Sequence, residues 1–261
     1  MMPGISTACL YPLNTEESFR ALLALEPDCM EVFLNSTLEL ESSFLRELRR
    51  EADSAGTKIV SVHPYLSPME PMFFFSGYAR RFVEGMELYR RFYEAAGILG
   101  ADCLVFHGEY RRSPLSWDDY FILFERLWED AQKHGVSLCQ ENVERCFSGS
   151  NQFLARMRKT LPQVEYILDV KQTVRAGESI FDMARTMGDK IRHIHISDHN
   201  ERESCLPPGK GILNTGKLLD LIGKNGFRGG VIVELYGENF GDIVELSDSF
   251  QQLRDTLSTR P

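Results

Sequence analysis

The stretch HGVSLCQE (134–141) holds, in eight residues, a helix stop, a strand and a carboxylate at the strand's end. Gly135 supplies the left-handed residue a helix end wants. VSLCQ then reads as a short buried strand, and Glu141 closes it. The same order recurs in AGTKIV (55–60), LGADCLVF (99–106) and NGFRGGVIV (225–233), each a helix end, a glycine and a strand. Working outward, strands are predicted over GISTA (4–8), CMEVFL (29–34), KIVSVH (58–63), DCLVFH (102–107), VSLCQE (136–141), EYILDV (165–170), RHIHIS (192–197) and GVIVEL (230–235). Helical patterns fall between them near 15–25, 40–55, 77–99, 117–134, 150–160, 178–187, 215–225 and 242–258. Strand–helix alternation from end to end predicts parallel strands with crossover helices. Eight of each, over 261 residues, predict an α/β fold: one (β/α)8 barrel spanning residues 1–261. A doubly wound open sheet is the alternative, but GISTACLYP lacks the glycine-rich phosphate turn expected after its first strand.

Local signals support the boundaries. Asn14 with Glu17, and Ser116 with Asp119, resemble capping boxes. Gly56, Gly100, Gly135 and Gly226 stand where left-handed caps are wanted. Met and aromatic residues in GYARRFVEGMELYRRFYEAAGIL (77–99) recur at helical spacing and read as a core stripe. Phe73, Phe74 and Phe75 are expected to pack at the barrel top, with a water-excluding lid as the alternative.

Composition narrows the class. Hydrophobic residues make up 43% and charged residues 26%, which suits a globular protein with a sizeable core. A net charge of −9 argues against a nucleic-acid partner, which needs a basic face. No membrane-length apolar run and no signal-peptide pattern are visible, so a cytoplasmic protein without a membrane partner is expected. The six cysteines show no CxxC, and reduced, buried thiols are expected.

The chemistry lies at strand ends. Glu141, Asp169, His195 and Glu234 each finish an apolar strand, about 30 residues apart as in an eightfold barrel. A parallel barrel gathers these ends at one face. Three carboxylates and an imidazole converging there would repel one another without a cation between them, which predicts a divalent-metal site. Mn2+, Mg2+ or Co2+ suits the oxygen-rich set better than Zn2+.

With CQENVER, LDVKQT, HIHISDHN and VELYG in that order, the chain resembles the xylose-isomerase-like barrels. That superfamily holds sugar-phosphate isomerases and epimerases and the apurinic endonucleases of family 2. LPPGKGILN (206–214) also resembles the family's loop after the seventh strand. The resemblance implies that Glu141, Asp169, His195 and Glu234 bind one divalent metal. It also implies that Glu141 and Glu234 are the catalytic pair, one removing a proton beside a carbonyl and the other returning it. The metal acts as a Lewis acid toward an enediolate. A carbohydrate is the expected substrate, with a homo-oligomer compatible with the family.

His63 (SVHPY) and His107 (VFHGEY) are expected to contact substrate, as are Gln172, in the slot where the family often has histidine, and Lys210 between its two glycines. Glu109 and Tyr110 could line the mouth, and Asp198 and His199 are read as a polar loop. His193 is expected to pack toward the helices. Glu144 is expected in a surface ion pair. Gln172 and the absence of Asp-x-His in NERESCLPPGKG leave a three-zinc endonuclease cluster short of ligands. A dehydratase of the inosose or dehydroshikimate type and a non-catalytic sugar-binding barrel are the remaining alternatives.

Overall fold

In the computed structural model, which describes residues 1–259, eight strands pair in sequence order and close. They are β1 (Met2–Ser6), β2 (Cys29–Leu34), β3 (Lys58–Pro64), β4 (Cys103–Phe106), β5 (Ser137–Glu141), β6 (Tyr166–Asp169), β7 (Ile191–Ile196) and β8 (Gly230–Val233). All pairings are parallel, and β1 joins β8 through Gly4 opposite Ile232. The open-sheet alternative is thereby excluded. Every residue of β4, β6 and β8 is buried, as strands covered by helices outside and packed side chains inside must be.

The covering helices are α1 (Thr15–Leu23), α2 (Ser42–Ala55), α3 (Ala79–Leu99), α4 (Trp117–Lys133), α5 (Asn151–Thr160), α6 (Val170–Arg175), α7 (Ile180–Met187), α8 (Thr215–Lys224) and α9 (Ile243–Ser258). Ser116 accepts the Asp119 amide and starts α4 as expected. Gly56 and Gly100 end α2 and α3 in the left-handed region, at φ 73° and 75°. Asn14 departs from expectation: it occupies the cap position of α1, but its exposed side chain makes no capping bond. The sixth strand stops at Asp169 rather than running to Val170. The Asp169 carboxylate accepts the Gln172 amide at 2.8 Å and turns the chain into α6, a helix too short to show periodicity in sequence. The first strand is displaced two residues toward the N-terminus, because Ser6 caps a 3-10 turn over Thr7–Leu10.

All six cysteines are buried and free. Among the described residues no helix is long and apolar enough to cross a membrane.

Phe73–Phe75 form one turn of π-helix (Pro71–Phe75) and are buried, which fits the packing reading. Phe74 meets Tyr89 edge-on at 5.0 Å between centroids and Phe106 at 6.0 Å. This turn seats against α3 at Gly85, where a Cβ would lie 2.7 Å from both Phe73 Cβ and Phe74 Cε1. Gly85→Ala gains up to about 1 kcal/mol in helix propensity. Overpacking costs about 1–3 kcal/mol. Urea unfolding is therefore expected to show a net loss of stability, and a variant more stable than the parent would contradict this packing.

Candidate functional site

The carboxyl ends of the strands share one face, so β3 through β8 deliver their terminal side chains to one small volume. Ligand atoms of Glu141, Asp169, His195 and Glu234 all lie within 4.8 Å of one another. His195 Nδ1 stands 3.1 Å from Glu141 Oε1, 3.3 Å from Glu234 Oε2 and 3.6 Å from Asp169 Oδ2. The three carboxylates thus face one ring nitrogen from three strand ends. The Lys171 ammonium, 3% exposed, sits on Asp169 Oδ2 at 2.5 Å and also on Glu234 Oε2. A positive charge already rests on two of these oxygens. Three hard carboxylates and an imidazole, with ligand atoms within 4.8 Å of one another, are a donor set of the kind that suits a divalent ion.

A cavity of about 610 Å³ opens above this group. Glu141, Glu234, His63, His107, Lys171 and Gln172 line it, whereas Asp169 and His195 are sealed beneath. Glu141 and Glu234 each face a lining histidine: Glu141 Oε2 is 3.3 Å from His107 Nε2, and Glu234 Oε1 is 3.9 Å from His63 Nε2. The two rings approach at 3.3 Å through their Nε2 atoms. His63, His107 and Glu141 form a second group whose ligand atoms lie within 4.8 Å. Gln172 holds its position by accepting the Glu144 amide at 3.2 Å.

The sequence reading needs four corrections. Lys210 is exposed and stands apart from the cavity lining. The buried Asp198 carboxylate accepts the amides of Gly209 and Leu213 and folds that loop onto itself. His193 does not pack toward the helices. Residues two apart on a strand share a face, so His193 lies inside the barrel with His195, their Nε2 atoms 3.1 Å apart. Glu144 forms no ion pair among the described residues, and its amide is what engages Gln172. Glu109 is buried and accepts the amide of Tyr110. It does not line the cavity.

Three groups escaped the sequence reading. Glu31, on β2, is fully buried at the barrel axis. It accepts Ser6 Oγ at 3.1 Å and Ser61 Oγ at 2.8 Å, and meets the Nε2 atoms of His195 at 3.1 Å and His193 at 3.3 Å. It forms the floor of the site, and a lone acid inside CMEVFL is the only signal for it. Glu70 is also fully buried. It accepts the amides of His107 and Gly108, the hydroxyl of Tyr89 and, at 3.0 Å, His107 Nδ1. A lone acid in the apolar run MEPMFFF is the only sequence signal for it. Lys171 is the third.

A cavity of about 500 Å³ at the opposite end of the barrel is lined by charges including Arg49, Asp53, Asp102, Glu165 and Arg192. Arg49 pairs there with Asp53 at 2.8 Å, and Arg192 pairs with Asp102. These charges neutralise one another, and the conserved geometry of a parallel barrel places chemistry at the other face.

Burial sets the titration of the mouth. Burial and the neighbouring His107 push His63 down to about 4. Burial also opposes charge on His107, but Glu70 and Glu141 outweigh it and raise that ring. Burial raises Glu141 despite the attraction of His195. Asp169 is held below the usual carboxylate range because Lys171 and His195 overcome its burial.

The class defined by this architecture is a (β/α)8 barrel with an acid- and histidine-lined mouth. The chain belongs to the family of xylose isomerase-like TIM barrels, whose match runs over residues 19–258. An uncharacterized protein of Mycobacterium tuberculosis is 27% identical to it over 262 residues, covering 89% of this chain and 88% of that protein. Among solved structures, a D-tagatose 3-epimerase-like protein superposes with a TM-score of 0.82 at 19% identity, covering 99% of this chain and 98% of the other. The IOLI protein with a bound zinc atom superposes with a TM-score of 0.80 at 17% identity, over 99% of each chain.

In metal-free protein, the His63 ring resonance should titrate near pH 4, and His107 above the ordinary value of about 6.5. The sign follows for stability. His63 is neutral when folded but takes a proton when unfolded below about 6.5, so its contribution is lost as pH falls from there toward 4. NMR titration and urea midpoints against pH read both effects. A His63 midpoint near 6.5 would contradict the geometry.

Proposed function

We propose that this protein is a divalent-metal-dependent isomerase or epimerase acting on a sugar, sugar phosphate or keto acid, through proton transfer at a carbon next to a carbonyl. The observation that carries the reading is the division of the four strand-end groups. Glu141 and Glu234 reach the cavity, while Asp169 and His195 lie sealed below it. Two carboxylates that can meet a substrate suit a base and an acid, and a carboxylate and an imidazole that cannot meet it suit holding an ion. The likeness to a D-tagatose 3-epimerase-like protein supports the reading, since inversion beside a ketose carbonyl is the same chemistry.

Glu141, Asp169, His195 and Glu234 are the residues that would hold the metal. When bound there, a divalent ion supplies Lewis-acid polarisation of the substrate's carbonyl. The oxygen-rich set favours Mn2+, Mg2+ or Co2+, with Zn2+ also compatible with the nitrogen donor.

Glu141 has the environment of a base. Burial raises its pKa toward the working pH, where a carboxylate abstracts a carbon-bound proton more effectively. His107, fixed by Glu70, stands at its outer oxygen and keeps it aimed. Glu234, also in the cavity wall, gives the carbon a proton drawn from solvent while Glu141 keeps the one it removed, on the opposite face for epimerisation or at the adjacent carbon for isomerisation. His63, His107 and Gln172 are placed to hydrogen-bond substrate hydroxyls.

Incubation with a ketose and keto-acid panel in deuterated water containing Mn2+ is expected to put deuterium beside the carbonyl of the true substrate. Glu141→Gln and Glu234→Gln should each lower kcat by about 10²–10⁴-fold with an unchanged circular dichroism spectrum. Full activity in either variant would contradict the assigned pair. Ketose binding without deuterium incorporation would indicate a sugar-binding barrel instead.

A further inference from the structure

The oxygens that face His195 are not free. Asp169 Oδ2 lies 3.6 Å from His195 Nδ1 and 2.5 Å from Lys171 Nζ. Glu234 Oε2 lies 3.3 Å from His195 Nδ1 and is also bonded by Lys171 Nζ. Both oxygens through which these carboxylates would share an ion with the imidazole are therefore engaged by one ammonium. A divalent ion on the same two oxygens would stand beside that ammonium among buried side chains, where like charges repel more strongly than in bulk solvent. An ammonium and a metal ion on one pair of carboxylate oxygens therefore compete.

Lys171 has somewhere to go. It is the second residue of α6, directly after the Asp169 cap, and its side chain forms part of the cavity wall. The Tyr236 ring, 5.4 Å from Nζ, lines the same cavity and offers a π face to a cation. Leaving Asp169 and Glu234 therefore takes the ammonium into the substrate space rather than into the apolar core. Three residues after Asp169, Gln172 donates its backbone amide to the other Asp169 oxygen, Oδ1. The carboxylate thus stays oriented by the helix start whichever cation sits on Oδ2.

We infer that Lys171 is a resident counter-cation of the candidate metal site. It neutralises Asp169 and Glu234 when no metal is bound, and a divalent ion binds by displacing its ammonium into the cavity. The inference rests on the metal reading above. It makes the site exchangeable: the metal-free protein is folded and charge-balanced, and metal affinity is lowered by the competing lysine.

The test is Mn2+ binding to metal-free wild-type protein and to Lys171→Met and Lys171→Gln, by calorimetry and by the loss of the free Mn2+ electron paramagnetic resonance signal. Both variants are expected to bind Mn2+ at least 10-fold more tightly than wild type. Metal-free Lys171→Met should melt at a lower temperature than wild type, and Mn2+ should restore it. Equal or weaker Mn2+ binding by the variants, with wild type still binding, would overturn the inference and leave the metal reading standing. Absence of Mn2+, Co2+ and Zn2+ binding in all three proteins would overturn both. A wild-type measurement decides the matter if the variants do not fold. Lysine acetylation read by mass spectrometry should modify Lys171 several-fold faster with saturating Mn2+ than without. Equal protection in the two states would overturn the inference.

Discussion

Carboxylates buried away from solvent must meet positive charge or hydrogen-bond donors, and the open end of this barrel is organised by that requirement. Glu31, Glu70, Glu141, Asp169 and Glu234 are all buried there. An unpaired ion in such a place costs several kcal/mol. Glu70 is met by two backbone amides, a tyrosine hydroxyl and His107. Glu31 is met by serines on β1 and β3 and by histidines on β7. Asp169 and Glu234 share Lys171, and Glu141 leans on His195 and His107. Each acid is answered from a different strand or loop, so neutralising the charge also ties the barrel together across its axis.

The same pairing sorts the side chains by depth. Glu31, His193, His195 and Asp169 make a closed polar layer, and Glu141, Glu234, His63, His107 and Lys171 form the wall above it. The members of the lower layer are in contact with one another. The upper layer offers protons and charges to whatever enters the cavity. Preorganised groups of this kind need little rearrangement when charge develops on a bound molecule.

Much of the barrel was legible because its signals are local. A glycine after each of several helices, a short β-branched strand and a polar residue at the strand's end repeat often enough to count the units. Position at a strand end also marked Glu141, Asp169, His195 and Glu234, which the closed sheet brings within reach of one another. What escaped depends on distant partners. Glu31 looks like an interruption of an apolar strand until the serines and histidines of three other strands surround it. Glu70 sits in a loop, and only the return of β4 supplies its amides. Lys171 lies between Asp169 and Gln172 in LDVKQT, and its role arises from Glu234, 63 residues later. His193 was misplaced by a misjudged strand period. Lys210 reads as a cation that a loop could present to an anionic substrate, whereas Asp198 folds that loop onto itself, apart from the cavity lining.

A crystal of the protein soaked in Mn2+ gives the most direct view of the shared constraint. The anomalous difference map should hold one strong peak per chain, bounded by the side chains of Glu141, Asp169, His195 and Glu234. A map with no peak among those four, or with its only peaks at surface carboxylates, would contradict the account.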